Sequence, residues 1–225
     1  MAEKSSVFDM IGPIMIGPSS SHTAGVVRIA RAAIRVLGAK PAEAVITFYN
    51  SFARTYEGHG SDRAIIAGLL DYKTDDPRIK NAFEHAEKEG LEYKFKSVGN
   101  ASTMHPNTIK VVLAKDDKKV EVIGQSKGGG VINIAEVDGF DADFSASMHT
   151  LIIKAADTKG SIANIANILA NDHCNIATMS VSRMGKNHDA CLVIEMDSGL
   201  EPISLQYMKS LSWVHQVIYI PDIDL

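Results

Sequence analysis

Residues 150–221 switch between two kinds of hydrophobic spacing in an order that few folds accommodate. The segment "TLIIKAA" (150–156) is short, apolar and bounded by turn residues, as a buried strand requires, and "DTKG" (157–160) supplies a tight turn. "SIANIANILANDH" (161–173) reads as a helix, and "NIATMSVSRM" (175–184) and "ACLVIEMD" (190–197) as strands around the turn "GKNHD" (185–189). "EPISLQYMKSL" (201–211) reads as a second helix and "VHQVIYIP" (214–221) as a closing strand. The order β-α-β-β-α-β predicts a split-βαβ, ferredoxin-like unit.

The residues before it mix helix and strand without that order. Val26, Val27, Ala30, Ala33, Ile34 and Leu37 recur at helical spacing, with Arg28, Arg31 and Arg35 as the opposite stripe and Gly38 as the stop. An amphipathic helix from about His22 is expected. "AVITFY" (44–49) reads as a strand, and "GHGSDRAIIAGLL" (58–70) as a turn entering a helix that Ser61 or Asp62 can cap. "DDPRIKNAFEHAEKEG" (75–90) has Pro77 just inside and Gly90 just past a third helix. "YKFKSV" (93–98), "TIKVVLA" (108–114) and "KVEVIGQS" (119–126) read as strands, the last two joined at Asp116 and Asp117. "KGGGVINIAEVDG" (127–139) sets three glycines ahead of another strand, and "FDADFSASM" (140–148) is expected to be a linker. At 225 residues two domains are expected: a mixed α/β domain over 1–145 and the ferredoxin-like domain over 148–225, an α+β chain.

Charge and cysteine content exclude several classes. Lys and Arg total 23 against 27 Asp and Glu, which leaves no basic footprint for nucleic acid or an anionic membrane. Asp9 and two prolines interrupt the apolar run of "MAEKSSVFDMIGPIMIGP", so neither a signal peptide nor a membrane span is expected and the chain reads as cytoplasmic. The sequon Asn100-Ala101-Ser102 then has little meaning. Cys174 and Cys191 are the only cysteines, whereas zinc or iron–sulfur binding within one chain wants three or four soft ligands. His173 beside Cys174 is a fragment of a metal site at most, and two buried thiols are the plainer reading. No metal ligand is assigned to this chain.

Polar residues gather at the ends of elements. Ser19, Ser20, Ser21, His22 and Thr23 follow two Gly-Pro breaks and precede the first helix. Free N–H groups and the positive end of the helix dipole there suit a carboxylate or phosphate, although a cap alone would need one hydroxyl. Gly58-His59-Gly60-Ser61-Asp62 puts a histidine between glycines at another helix mouth. Met104-His105-Pro106-Asn107 holds an imidazole in extended backbone before a strand, and Gly128, Gly129 and Gly130 allow close approach to a ligand. They do not make a nucleotide loop, since no Gly-Lys-Ser/Thr follows, and no Gly-x-Ser-x-Gly elbow is present.

"SVFDMIGPIMIGPSSSHTAG", "GHGSD", "MHPNT" and "SKGGGVINI" resemble the β chain of the bacterial two-chain, iron–sulfur-dependent L-serine dehydratase. The tail, with "DTKG" and "CNIATM", resembles an ACT domain. The resemblance implies conversion of L-serine to pyruvate and ammonia without pyridoxal phosphate. It also implies a [4Fe–4S] cluster with one open iron, held by cysteines of an α subunit, where the iron serves as Lewis acid for the leaving hydroxyl. It implies that Ser20, Ser21, His22 and Thr23, with Ser19, clasp substrate at the helix mouth. His59, Ser61, Asp62, His105 and Asn107 would line the opposite wall beside Gly128, Gly129 and Gly130, with one histidine as acid–base group. Ser61 stands where the family pattern has threonine, keeping the hydroxyl. The ACT effector loop would be Asp157, Thr158, Lys159 and Gly160, with Asn175 across the next loop. Lys159 replaces the proline common there, so effector binding and a purely structural, self-pairing role are both open. The alternative to an enzyme subunit is a non-catalytic amino-acid-sensing regulatory protein, whose discriminating absence would be a cysteine-bearing α partner.

Overall fold

The computed structural model describes residues 13–100, 104–183, 185 and 188–223. They divide into two compact units between Asp138 and Gly139, the second ending at Ile223. The secondary structure is mixed α and β, with a separate main sheet in each unit.

In the first unit a π-helical turn, Ser20–Ala24, runs into α1 (Gly25–Leu37), followed by β1 (Glu43–Tyr49), α2 (Asn50–Thr55) and α3 (Ser61–Leu69). A 3₁₀ turn, Pro77–Asn81, leads into α4 (Ala82–Glu89), then β2 (Glu92–Val98), β3 (Thr108–Lys115), β4 (Lys118–Gly128) and β5 (Val131–Val137). The strands lie in the order β2-β1-β3-β4-β5. β2 is parallel to β1, and the β1–β3, β3–β4 and β4–β5 pairs are antiparallel. The sequence expectation had no helix at α2, whose six residues are too short to show a period.

α1 packs against α3 on one side and β4 on the other. Both contacts depend on glycine: a Cβ at Gly68 of α3 would lie 2.5 Å from the Val27 carbonyl oxygen, and one at Gly124 of β4 would lie 2.5 Å from Ile29 Cγ2. The expected polar stripe is therefore corrected. Every residue of α1 except Arg35 is buried, with Arg28 only 3% and Arg31 only 7% exposed. Buried guanidinium groups must be paired. Arg28 Nη1 donates to the Gly130 carbonyl at 2.8 Å. Arg31 Nε donates to Asp71 Oδ1 at 3.1 Å, and Arg35 Nη2 reaches both Asp71 oxygens at 2.9 and 2.8 Å.

The expected cap of α3 is also corrected. Gly60, at φ 70, occupies the N-cap position, and no side chain caps the helix. The third expected helix splits into the 3₁₀ turn and α4, with Asp76 Oδ1 accepting from Arg78 N at 2.9 Å and Gly90 closing the end at φ 71.

The second unit contains β6 (Phe140–Phe144), β7 (His149–Ala156), α5 (Ser161–Asn171), β8 (Ile176–Arg183), β9 (Asp189–Met196), α6 (Pro202–Ser210) and β10 (Val214–Ile220). After β6 the order is the expected β-α-β-β-α-β, and the antiparallel sheet runs β10-β7-β9-β8. Alternate residues Leu151, Ile153 and Ala155 of β7 and Leu192, Ile194 and Met196 of β9 form a core with Ile165, Ile168 and Leu169 of α5 and Met208 of α6. The expected linker 140–148 is corrected in its first half. Phe140, Ala142 and Phe144 are buried in alternation with exposed Asp141 and Asp143, and β6 lies against β8 and β9. Just after it, Glu195 Oε1 accepts from Ser145 N and Oγ at 2.9 and 2.7 Å. Among the described residues no helix is long and apolar enough to cross a membrane.

The Asp71 cluster gives a direct test of the buried arginines. Burial works to raise the Asp71 pKa, but hydrogen bonds and charge from Arg35 and Arg31 outweigh it and hold the carboxyl below the ordinary aspartate value. A depressed carboxylate contributes stability above its unfolded pKa and loses it as pH falls through the folded one. Asp71 sits at φ 64, a conformation asparagine also tolerates, so Asp71→Asn removes the charge with little backbone strain. Discounted for an acid side chain about a third exposed, the loss is expected to be about 1 kcal/mol at pH 7. Urea titrations of both proteins should show that gap closing below about pH 4.

Candidate active site

One edge of the first unit's sheet collects most of the candidate residues. The antiparallel pairings set the end of β1, the start of β3, the end of β4 and the start of β5 side by side, through Phe48↔Ile109, Thr108↔Gln125 and Ser126↔Ile132. The start of α1 reaches the same edge, because Gly25 lies against Ser126. Loops leaving these ends therefore converge whatever their distance in sequence.

The approach to α1 is fixed at both ends. Ile16 N donates to the Thr74 carbonyl at 2.8 Å, and Thr74 Oγ1 returns a bond to the Ile14 carbonyl at 2.9 Å. Ser19 is the cap: its Oγ accepts from His22 N at 3.2 Å. The chain then makes a π-helical turn, in which Gly25 N bonds to the Ser20 carbonyl five residues back. Ser20, Ser21 and His22 are half-buried, and among the described residues none accepts a hydrogen bond from the Ser20 or Ser21 hydroxyl. The Thr23 hydroxyl is buried and has no partner among the described residues.

The hydrogen bonds assign the tautomer of His22. Thr55 Oγ1 donates its hydrogen to the Ser51 carbonyl at 2.9 Å, so toward His22 Nε2, at 3.0 Å, it can only accept. His22 thus carries its hydrogen on Nε2, and Nδ1 accepts from Ser19 Oγ at 3.3 Å. Burial, reinforced by the charge of His59, lowers the His22 pKa and keeps the ring neutral at pH 7. The two imidazoles lie 4.6 Å apart between centroids, and Phe52 meets His22 edge-on at 4.7 Å. His59 is exposed, and its Nδ1 donates to the Thr55 carbonyl at 3.2 Å, which makes Nε2 the lone-pair nitrogen.

His105 joins this edge through its loop. Ser51 N donates to the Pro106 carbonyl at 3.0 Å and Asn50 Nδ2 to the Met104 carbonyl at 3.1 Å. The His105 ring accepts from Asn107 N at 3.2 Å, and burial together with the Lys127 charge lowers its pKa. Among the described residues its ring stacks with neither His22 nor His59. Asn107 also receives Ser126 N on its carbonyl at 3.0 Å. Gly128, Gly129 and Gly130 all have positive φ, at 104, 62 and 82, so the β4–β5 turn needs glycine there.

Two candidate wall residues are engaged with the backbone. Ser61 is fully buried and donates to the His22 carbonyl at 2.8 Å, so its hydroxyl holds the turn. Asp62 accepts from Arg63 N at 2.8 Å, has its pKa raised by burial, and acts electrostatically on Tyr56 and Tyr93. Sequence reasoning missed Thr55, which orients both histidine rings, and Ser126, whose Oγ donates to the Ser21 carbonyl at 3.0 Å. Thr55 carries no motif signal, and Ser126, which opens "SKGGGVINI", gives no sequence sign of this bond. Residues 6–12 of the opening motif and 101–103 lie outside the described residues.

In the second unit an open groove of about 670 Å³ is lined by Asp157, Thr158, Gly160 and Ser161 with Val181 and Arg183 of β8. Asp157 is engaged by the Arg183 guanidinium, with Nε at 2.9 Å. Lys159 is exposed. Asn175 lies just before β8, eight residues or roughly 26 Å from Arg183 at the usual strand rise, where it donates to Asp197 at 2.6 Å. One copy of the unit does not bring Asn175 to the loop. Among the described residues no group of three or more His, Cys, Asp and Glu is placed to hold a metal ion, and both cysteines are buried in this unit. The residues of this chain do not fit an iron–sulfur cluster as its ligands.

Residues 6–136 match the family model for the serine dehydratase beta chain. A probable L-serine dehydratase beta chain of Bacillus subtilis is 43% identical over 217 residues, 96% of this chain and 98% of that one. The chain belongs to the serine dehydratase beta-chain family. The L-serine dehydratase beta chain of Peptoniphilus asaccharolyticus is 35% identical, over 87% of this chain and 88% of that one. D-3-phosphoglycerate dehydrogenase of Bacillus subtilis is 27% identical over 83% of this chain but only 35% of its own length.

The ring pair predicts a pH signature. Because the folded pKa of His22 is depressed, the stability from keeping it neutral is present above its unfolded value, about 6.5, and is lost as pH falls through the folded value. NMR titration should find His22 protonating below the usual histidine range from the Nε2–H tautomer. Replacing His59 by glutamine should raise that pKa only in part, since burial is the larger cause. A full return to about 6.5 would contradict the assignment.

Proposed function

We propose that this chain is the β subunit of an L-serine dehydratase, converting L-serine to pyruvate and ammonia together with an α subunit that holds a [4Fe–4S] cluster. The observation that carries this is the turn Ser19–Thr23, in which the half-buried Ser20 and Ser21 precede His22, whose neutral ring pairs with the exposed ring of His59. The relatives named as serine dehydratase beta chains over nearly their full length support the substrate.

Elimination of water from serine needs the substrate carboxylate held, the α-proton removed and the hydroxyl released. The start of α1, with its dipole and the Ser20 and Ser21 hydroxyls, suits the carboxylate. His22, bonded at both nitrogens, suits an orienting role rather than proton transfer. His59, with a lone pair on Nε2 and its other nitrogen fixed, suits the proton-transfer role. Loss of the α-proton and hydroxide leaves an aminoacrylate, which gives pyruvate and ammonia on hydrolysis. No step of this chain's own residues passes through the cluster, which the partner supplies.

We assign the second unit as an ACT-like module that pairs copies of the chain. Two copies would be needed to bring an Asn175 to an Asp157–Gly160 loop, since one copy separates them. The second reading is a non-catalytic amino-acid-sensing regulatory protein. Both readings place serine at the same edge, and turnover separates them.

The purified chain alone should be colourless and inactive on L-serine, and turnover should appear with a cysteine-bearing α subunit. In that complex the double variant Ser20→Ala, Ser21→Ala should lower turnover on the order of a hundredfold or more, as when a charge-stabilising donor is lost. Folding should be nearly intact, because Ser19 is the cap. Near-normal turnover with about 1–2 kcal/mol of lost stability would reduce these serines to a structural role. Serine binding without turnover in the complete complex would support the sensor.

A further inference from the structure

We propose that Ser126 and Ser61 are positioning residues: they hold the Ser20–Ala24 turn in its wide π-helical form and so set the direction of the Ser20 and Ser21 hydroxyls and the His22 ring. The proposal rests on the substrate site described above, but its structural half stands without it. In a regular α-helix the Gly25 amide would bond to the carbonyl of Ser21, four residues back. Here it bonds to the Ser20 carbonyl instead, five residues back. Ser126 Oγ donates to the Ser21 carbonyl at 3.0 Å. On the adjoining residue Ser61 Oγ donates to the His22 carbonyl at 2.8 Å.

Both serines are 0% exposed and arrive from different elements, β4 and the first turn of α3. Neither hydroxyl is available to substrate, so each acts on the site only through the turn. The approach of Ser126 is itself protected: a Cβ at residue 25 would lie 2.2 Å from Ser126 Oγ, so only glycine leaves room for the bond. The consequence for chemistry follows from geometry. Relaxing five residues from π to α spacing would rotate the side chains of Ser20, Ser21 and His22 about the helix axis relative to α1. His22 would then lose its bond to Thr55.

The test has one arm that needs no turnover and one that does. In the full chain, the hydrogen-bonded His22 Nε2–H should give a protected, downfield proton resonance. Ser126→Ala and Ser61→Ala should remove or broaden it while circular dichroism and a cooperative melt show a folded chain. Ser61→Thr, which keeps a hydroxyl, should retain the resonance. In the α–β complex, the alanine variants should raise the KM for L-serine about tenfold or more, and Ser61→Thr should stay within about threefold of the parent. Retention of the resonance in both alanine variants would overturn the proposal. Its loss with unchanged KM and kcat would overturn the link to the site. If the parent complex shows no serine turnover, the function is wrong while the resonance still decides whether the two serines hold the turn. If an alanine variant fails to fold, the threonine variant and its resonance still decide, since loss of the signal there would count against the proposal.

Discussion

The first unit is organised by the burial of α1 on all sides. A helix packed between a sheet and a second helix has no face left for water, yet this one carries Arg28 and Arg31 inside. Two consequences follow. The neighbours must come close enough to exclude solvent, which Gly68 and Gly124 permit. The guanidinium groups must find oxygen atoms, and they find the Gly130 carbonyl and the Asp71 carboxylate. These contacts are not incidental to the site. The Arg28 bond ties the β4–β5 glycine turn to the helix whose mouth holds the serines, so core packing and site geometry are one constraint.

From there the turn at Ser20–Ala24 takes its shape from what surrounds it. Stapled by Thr74 before and running into α1 after, the segment is held at both ends. Two buried serines donate to the Ser21 and His22 carbonyls and so tie the turn to β4 and α3. The serines in the turn itself are then spared from structural bonding. On the proposed reading, the buried hydroxyls serve the backbone and the half-buried Ser20 and Ser21 hydroxyls serve a ligand.

Much of this was legible in the sequence, and the failures have physical causes. The β-α-β-β-α-β order was readable because each element is long enough to show its period. The arginine stripe was misread as solvent-facing because helical spacing shows which residues share a face, but not what covers it. The segment from Phe140 looked like a linker because two aspartates lie between its buried Phe140, Ala142 and Phe144, and an alternation of five residues is a weak signal. At the site, the opening serine–histidine run, His59 and the glycine turn were readable as residues at element ends. Ser61 was readable as a hydroxyl but not as a buried one. Thr55 was silent, and Ser126 stood in a motif without revealing its bond, because their roles depend on pairings across 33 and 105 positions of chain.

Thr55 shows how little is needed to tell two similar imidazoles apart. Its hydroxyl, already committed as donor to Ser51, can only accept from His22, which fixes the hydrogen on Nε2. Its carbonyl can only accept from His59, which fixes that hydrogen on Nδ1. One residue thus sets opposite tautomers in rings 4.6 Å apart. The chain of bonds from Ser19 through His22 and Thr55 ends on a backbone carbonyl, which cannot pass a proton onward. His22 is therefore a poor relay and a good support, and burial deepens that by penalising its charged form. His59, exposed and anchored by one nitrogen, keeps the other free to exchange a proton without disturbing the turn. The asymmetry arises from exposure and hydrogen-bond direction alone, with no carboxylate needed to create it.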